Sequence, residues 1–349
     1  MADGVSGVEI ESALLKAATW NTAEEAGADD GMLVLPTSVK KTTNFEKDDS
    51  LGIPYSKEAD PGPIEVNGDI PCYLRYDGLD RQLAIPMGIA GAPAQQAATA
   101  AYAYVYDWAE HIDGLFGTYI KKMKTYIEEH TSIKISGITI KGETGLPVQL
   151  ILHTDSVNKI TDSAVNTLAT FNNVTFFERS KRLLYSHAVF RMNNQEGAAL
   201  GGGDVIYPSS FELMAKRAVK GEHTGEYKSS QNNDLIDEPC TEDQPEITLK
   251  LNFPRHSSKT LLEDLDNNQY KKIDITFTGS QIETPYNREF KIELPNVQIT
   301  NDDPADETGA IKEPLDMMVH GCEVAPTGMA FTTPLRISGI NKRTTDPLA

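Results

Sequence analysis

The amino-acid sequence predicts a mainly β fold, built as sandwiches or barrels with minor helix and arranged as two tandem copies. Three observations lead there. Short runs of alternating apolar and polar residues recur along the chain, separated by Gly, Pro, Asn and Asp turn signals. Helical signals are brief. The order of landmarks in the first half returns in the second.

Taken in order, Glu9 to Ala18 has mild helical character, and Asp29-Asp30-Gly31 marks a turn before a short apolar strand, Met32 to Pro36. Thr42 to Gly68 is polar and rich in Gly, Pro and Asp. About 25 residues of this kind is long for a connection inside a compact domain, so the segment reads as a functional loop. Ile70 to Tyr76 alternates Cys72, Leu74 and Tyr76 against Tyr73 and Arg75, which is strand periodicity, and Leu79 to Met87 reads as a short helix. Ala90 to Ala101 is rich in small residues without an amphipathic stripe. Tyr102, Tyr104, Tyr106 and Trp108 form one face of a strand. That row reads as core packing, since a base-stacking platform needs cations beside it.

Further strands are expected around Tyr119–Met123, Val148–His153, Leu183–Arg191, Phe211–Ala215, Ile247–Phe253 and Ile273–Thr278. Ala198–Gly203 and Asp234–Glu246 read as loops. Ser257-Ser258 before Leu261, Leu262 and Leu265 predicts a capped helix of about two turns.

The duplication is clearest where Ile133-Lys134-Ile135-Ser136-Gly137-Ile138-Thr139-Ile140 aligns without a gap on Ile292-Glu293-Leu294-Pro295-Asn296-Val297-Gln298-Ile299. In both, the apolar spacing skips one place, at Ser136-Gly137 and at Pro295-Asn296. Such a skip flips the following strand to the other face, as a bulge or a kinked corner does. Pro36–Val39 is echoed by Pro208–Phe211, and Cys72, Leu74 and Tyr76 with their following helix by Leu249, Leu251 and Phe253 with theirs. Val148, Leu150 and Leu152 are echoed by Leu315, Met317 and Val319. The division expected is a first domain over 1–160, a linker over 161–182, a second domain over 183–328 and a C-terminal tail over 329–349 outside the pattern.

Charge narrows the function. The formal net charge is −19, with 32 basic against 51 acidic residues, which argues against tight binding to nucleic-acid phosphates or to an anionic membrane. No apolar stretch is long enough for a membrane helix, the N-terminus lacks the pattern of a secretory signal, and Cys72, Cys240 and Cys322 suggest neither a disulfide framework nor a zinc site. No metal-protease, nucleophile-elbow or phosphate-loop motif occurs. His111, His130 and His153 neighbour carboxylates in sequence but read as solvated surface. Gly197–Gly203 lacks the Lys-Ser/Thr helix start of a phosphate loop. Asp302, Asp303, Asp306 and Glu307 do not follow an EF-hand order and read as a solvated acidic loop. With no visible site, an enzyme is not expected.

In pattern and segment order, residues 9–324 resemble the tail tube (major tail) proteins of long-tailed, siphovirus-type bacteriophages. The similarity is carried by Trp20-Asn21-Thr22-Ala23, by Leu79-Asp80-Arg81-Gln82-Leu83, by Ile135–Glu143, and in the second half by Tyr207–Leu213, Glu246–Leu265 and Phe290–Thr300. It implies two tail-tube-type β-sandwich or split-barrel domains, each with a flanking helix, whose inner strands join neighbours into a tube wall. Most members of that family carry one domain and form hexameric rings. Two copies imply trimeric rings with pseudo-sixfold symmetry, stacked into a tube. The long loop that contacts the next ring falls at Thr42–Gly68, with Phe45, Asp48, Asp49, Ile53 and Tyr55 as its candidate stacking residues. The resemblance further implies no catalytic residue, metal, cofactor or membrane. The partners implied are further copies of the chain, tail terminator and tail-tip proteins, a tape measure protein inside the tube before ejection, and viral double-stranded DNA passing through without specific binding. The place implied is the virion tail, after synthesis in the bacterial host cytoplasm. Two alternatives stand beside it: the tube of a contractile or secretion-type injection device, and a β-sandwich capsid decoration or carbohydrate-binding module.

Overall fold

A computed structural model describes residues 7–50, 55, 59–177, 181–223, 235–256, 259–302 and 311–349. The fold is mainly β, with large antiparallel ladders and two short α-helices. In the first half the principal strands are β1 (Glu11–Lys16), β2 (Gly31–Met32), β3 (Lys40–Lys47), β4 (Ala59–Tyr73), β5 (Tyr102–Trp108), β6 (Gly117–Lys122), β7 (Ile127–Glu143) and β8 (Gln149–Ser156). Helix α1 (Asp80–Met87) lies between β4 and β5. The second half contains β9 (Ala188–Asn194), β10 (Val205–Ile206), β11 (Ser210–Lys216), β12 (Glu246–Phe253), β13 (Lys271–Glu283), β14 (Tyr286–Asp302) and β15 (Glu313–His320). Helix α2 (Thr260–Asp266) lies between β12 and β13, and β16 (Arg336–Asn341) follows β15.

Each half builds the same series of ladders. In the first, the order is β2-β1-β6-β7-β8-β4-β3, antiparallel throughout. In the second, β10-β9-β13-β14-β15-β12-β11 follow in the same order and sense. The correspondence reaches single residues. Ile140 pairs with Leu150 and Leu150 with Cys72, just as Ile299 pairs with Met317 and Met317 with Leu249.

The skipped place in the apolar spacing is a bulge in both copies. Ladder register shifts opposite Ser136, between the pairs His153–Gly137 and Thr154–Ile135, and again opposite Pro295-Asn296, between Lys271–Val297 and Ile273–Leu294. The following strand does not flip to the other face as expected: the bulge lets Ile133, Ile135, Ile138 and Ile140 all point into the core, where each is at most 1% exposed. Without it, the last two would turn to the opposite face. Ile292, Leu294, Val297 and Ile299 are buried in the same way. One large apolar cluster runs through both halves, and Tyr104, Tyr106 and Trp108 are buried in it as the aromatic row predicts.

Four expectations are corrected. Glu9–Ala18 forms no α-helix: beyond a 3-10 turn at Gly7–Glu9, Glu11–Lys16 is a strand between β6 and β2, and those ladders override the helix propensity of Ala13, Leu14 and Leu15. Met32–Pro36 is strand only at Gly31–Met32, beyond which Leu35 N and Ser38 N donate to Pro71 O and Asp69 O beside β4. Thr42–Gly68 is largely ladder, because β3 and β4 pair as a polar hairpin from Lys40–Asn67 to Lys47–Ala59. The stretch 329–349 is not a free tail, since β16 pairs with β5 of the first half and β14 of the second. The α2 helix starts without a side-chain cap, its N-cap being Lys259, and Ser257-Ser258 lie outside the described residues. Within 161–182, Phe171 packs on Leu15, Ile120 and Ile127 of the first half.

Candidate subunit interface

The two halves are joined edge to edge. Strand β11 of the second half pairs along its whole length with Gly137–Glu143 of β7 in the first. This makes one eight-stranded run, β14-β15-β12-β11-β7-β8-β4-β3, in which a four-stranded unit occurs twice. Its internal junction is closed by Arg217, which is fully buried at the end of β11. The guanidinium donates to Pro86 O and Ala109 O, each at 2.6 Å, and lies 3.6 Å from the Trp108 ring centre. Burial pushes its pKa down to about 9. The carbonyls at the C-terminal end of α1 are suitable acceptors for such a cation.

A second junction is the clasp formed by β16. Arg336 donates to both carboxylate oxygens of Asp107 at 2.7 and 2.9 Å. Asn341 donates to Asp80 at 2.7 Å, Lys342 N donates to Asp77, and Arg288 pairs with Asp77 at 2.6 Å. Burial raises the Asp80 carboxyl above its usual range, although Asn341, Arg343 and Tyr106 act in the other direction. The Gly339 backbone lies against Glu289 O and the Tyr104 hydroxyl, so no larger residue fits there.

The ends of the eight-stranded run differ from its middle. Among the described residues β3 has a ladder on one side only, with β4. The last pair of β13 on β14 is Lys271–Val297, so among the described residues Gln298–Asp302 carry no ladder on the side where the equivalent part of β7 carries β11. The helices show the same asymmetry. Seven of the eight α1 residues are buried, packed on β1, β5 and β7 of its own half with Arg217 at its C-terminal end, whereas α2, packed on β14, buries none and leaves Leu262 39% exposed. The edge of β7 is therefore covered at the internal junction, while the equivalent edge of β14 has no ladder among the described residues.

One face of the run is polar. Across it, register places Gln149, Lys141, Glu212, Lys250 and Asp316 side by side on five successive strands. Lys250 and Asp316 pair at 3.5 Å. Opposite charges directly across strands stabilise a register and neutralise each other locally. Between β12 and the Lys40 end of β3, the further acidic groups of that face, Glu65, Asp69, Glu143, Asp155 and Glu246, outnumber its further lysines, Lys40, Lys134 and Lys216.

Of the stacking residues expected from sequence, Phe45 is 65% exposed on β3, and Tyr55 is 82% exposed beyond the end of the hairpin ladder. Asp48 and Asp49 follow β3, and the Ser50 hydroxyl and backbone N–H hold the Asp48 carboxyl below its usual range. Ile53 lies outside the described residues.

The histidines divide. His111 is solvated beside Glu110, but His130 is buried, contrary to the surface expectation, and burial pushes its pKa down to about 3. His153 joins Thr139 Oγ1 and Asp69 Oδ1, each at 2.8 Å, in the order of a nucleophile, base and orienting acid. Thr139 sits mid-ladder between Ile151 and Met214, so its neighbouring backbone N–H groups are engaged in strand pairing and leave no donors for an oxyanion. Asp302 is buried rather than solvated, next to Glu313; Asp303, Asp306 and Glu307 are outside the described residues. Among the described residues no three His, Cys, Asp or Glu side chains converge to hold a metal, and no helix is long and apolar enough to cross a membrane. Gly202–Asp204 forms a short 3-10 turn, with the preceding Gly201 N donating to the Asp204 carboxylate.

No protein-family model and no curated protein matches this chain.

Proposed function

We propose that this chain is the repeating subunit of a tube, closed into rings of three and stacked head to tail. The tube reading is that of a phage tail, around a channel that conducts viral DNA. The observation that carries it is the internal junction. The chain already joins one four-stranded unit to an equivalent one, through β11 and β7, and among the described residues leaves the outer side of β3 and the Gln298–Asp302 end of β14 without a further ladder. An open edge is a template for another strand. The partner whose edge matches is a second copy, with β3 and the preceding Leu33–Val39 of one chain set against Gln298–Asp302 of the next. Such contacts are heterologous and close into a ring when the rotation divides a full turn. Two equivalent units per chain and about 60° per unit make three chains, and a barrel of roughly 24 strands, wide enough to leave a channel.

The polar face is the side that would line the channel. Duplex DNA carries one charge per roughly 1.7 Å, and unpaired cations would hold it by counterion release. A lining in which lysines alternate with carboxylates, and acids are in excess, lets a polyanion slide. The resemblance to tail tube proteins and the net charge of −19 support the same reading. The test is cryo-electron microscopy of the purified, concentrated protein. Tubes or rings with a continuous inner β-barrel are expected; discrete monomers under all assembly conditions would refute the proposal.

A further inference from the structure

Three side chains of the second half meet where β9 and β13 end beside α2. Asn194 and Lys271 stand directly opposite each other as the last pair of that ladder. Lys271 Nζ donates to Asn194 Oδ1 at 2.6 Å and pairs with Asp264 Oδ2, on α2, at the same distance. Lys271 is 6% exposed, and Asp264 Oδ2 has essentially no surface open to solvent. The next pair on the same face of the ladder is Met192 and Ile273, with Ile273 fully buried. From the other side, α2 packs Leu261 and Leu265 against the same core.

An ion pair would be complete with Asp264 alone. The carboxamide in the same contact adds an electrophilic carbon, one rotation about the Asn194 Cβ–Cγ bond away from the lysine nitrogen. An amine, a carboxamide and a carboxyl held together out of water are the three parts that amide exchange requires. The other lysines that meet side chains or carbonyls in this way lack one part. Lys272 is buried but meets the main-chain carbonyls of Gly197 and Thr327. Lys134 meets Ile112 O and Glu238, with no side-chain amide among its described partners. Lys41 donates to Asn158 at 2.9 Å, but on the exposed surface.

We propose that Lys271 and Asn194 join in an intramolecular isopeptide bond, formed once by the folded chain, with Asp264 carrying the proton. The Lys271 ammonium passes a proton to the Asp264 carboxylate, a transfer that costs less in a dry contact than in water. Nζ then attacks Asn194 Cγ. The new C–N bond forms as Cγ–Nδ2 breaks, and Asp264 returns its proton to Nδ2. That nitrogen departs as ammonia, takes up the second proton that Nζ releases, and leaves as ammonium. No oxidant, cofactor or second substrate enters, and Asn194 lies at an exposed strand end from which ammonia escapes. The bond forms within one chain, whether or not rings assemble. It ties β9 to β13 across everything between them, in a chain whose cysteines are free. A link across so long a loop restricts the unfolded chain as a disulfide does.

The test is intact mass spectrometry of the purified full-length chain after denaturation. The expected mass lies below that of the sequence by one ammonia, and a tryptic digest holds a branched peptide joining β9 to β13 through Lys271. Asp264→Ala and Lys271→Arg, each checked for folding by circular dichroism, should show the full mass and no branched peptide. Folded wild-type protein of full sequence mass would overturn the proposal, and so would loss of ammonia without the branched peptide. A branched peptide that persists in Asp264→Ala would overturn the role given to Asp264.

Discussion

Arg217 concentrates the internal junction into one side chain. Its guanidinium is desolvated, but it donates to Pro86 O at the end of α1 and to Ala109 O just after β5 and stacks on Trp108, so the buried charge has partners in three directions. Arg217→Met keeps much of the volume and leaves both carbonyls without a donor. The expected loss is about 3 kcal/mol in urea unfolding, from orphaned acceptors and the lost ring contact. Nothing in Lys216-Arg217-Ala218 marks this residue in the sequence, because its partners lie some hundred residues away and become neighbours only when the two edges meet. His130 gives a pH signature. The unfolded chain takes up a proton near the ordinary histidine value of 6.5, while the buried imidazole resists it down to about 3. Between those limits the unfolded state binds more protons, so this group destabilises the fold as pH falls, by at most about 1.4 kcal/mol per pH unit. Burial raises Asp80 and Asp274, which acts in the opposite sense in the acidic range. His130→Phe should therefore flatten the decline in stability between pH 6 and pH 4, measured by urea unfolding at each pH. An unchanged slope would mean that other groups set it.

Among the elements, those whose alternation faces a single core were legible. The bulged strands, the Tyr102–Trp108 row and the helix at Asp80–Met87 all announce themselves through local apolar spacing. The elements that were missed owe their state to partners. Glu11–Lys16 is buried at four successive positions, so it shows no alternation and reads as helical by propensity. The hairpin is polar on both faces and reads as a loop, even though Phe45 and Tyr55 within it were identifiable as candidate contacts. Strand β16 is short, outside the repeat, and held by one neighbour from each half. Its signal was the alternation of Ile337 and Gly339 against Ser338 and Ile340, too brief to decide alone. Gly339 is where this clasp is most exacting. Gly339→Val would force the backbone away from Glu289 and Tyr104, and should lower stability by about 2 kcal/mol or more, with partial loss of the β16 ladder visible in amide hydrogen exchange. Full protection of β16 in that variant would show that the approach is less tight than the backbone implies.

For the whole molecule, duplication explains both what is finished and what is left open. The internal junction pairs β11 with β7, sets a charge row in register and places Arg217 at the end of α1, and among the described residues the edges equivalent to β11 and β7 at the chain's ends, β3 and Gln298–Asp302, carry no such ladder. A covalent link between two units also raises the effective concentration of half of the contacts in a ring, leaving three intermolecular closures in place of six. The two units share apolar spacing while their surfaces differ, which suits junctions of two kinds, one within a chain and one between chains. Mass per closed ring measures this most directly, by native mass spectrometry or scanning transmission microscopy of assembled protein. The account predicts three times the 38.3 kDa chain mass in every ring. Six chains per ring, or no closed ring at concentrations where the chain is folded, would contradict it.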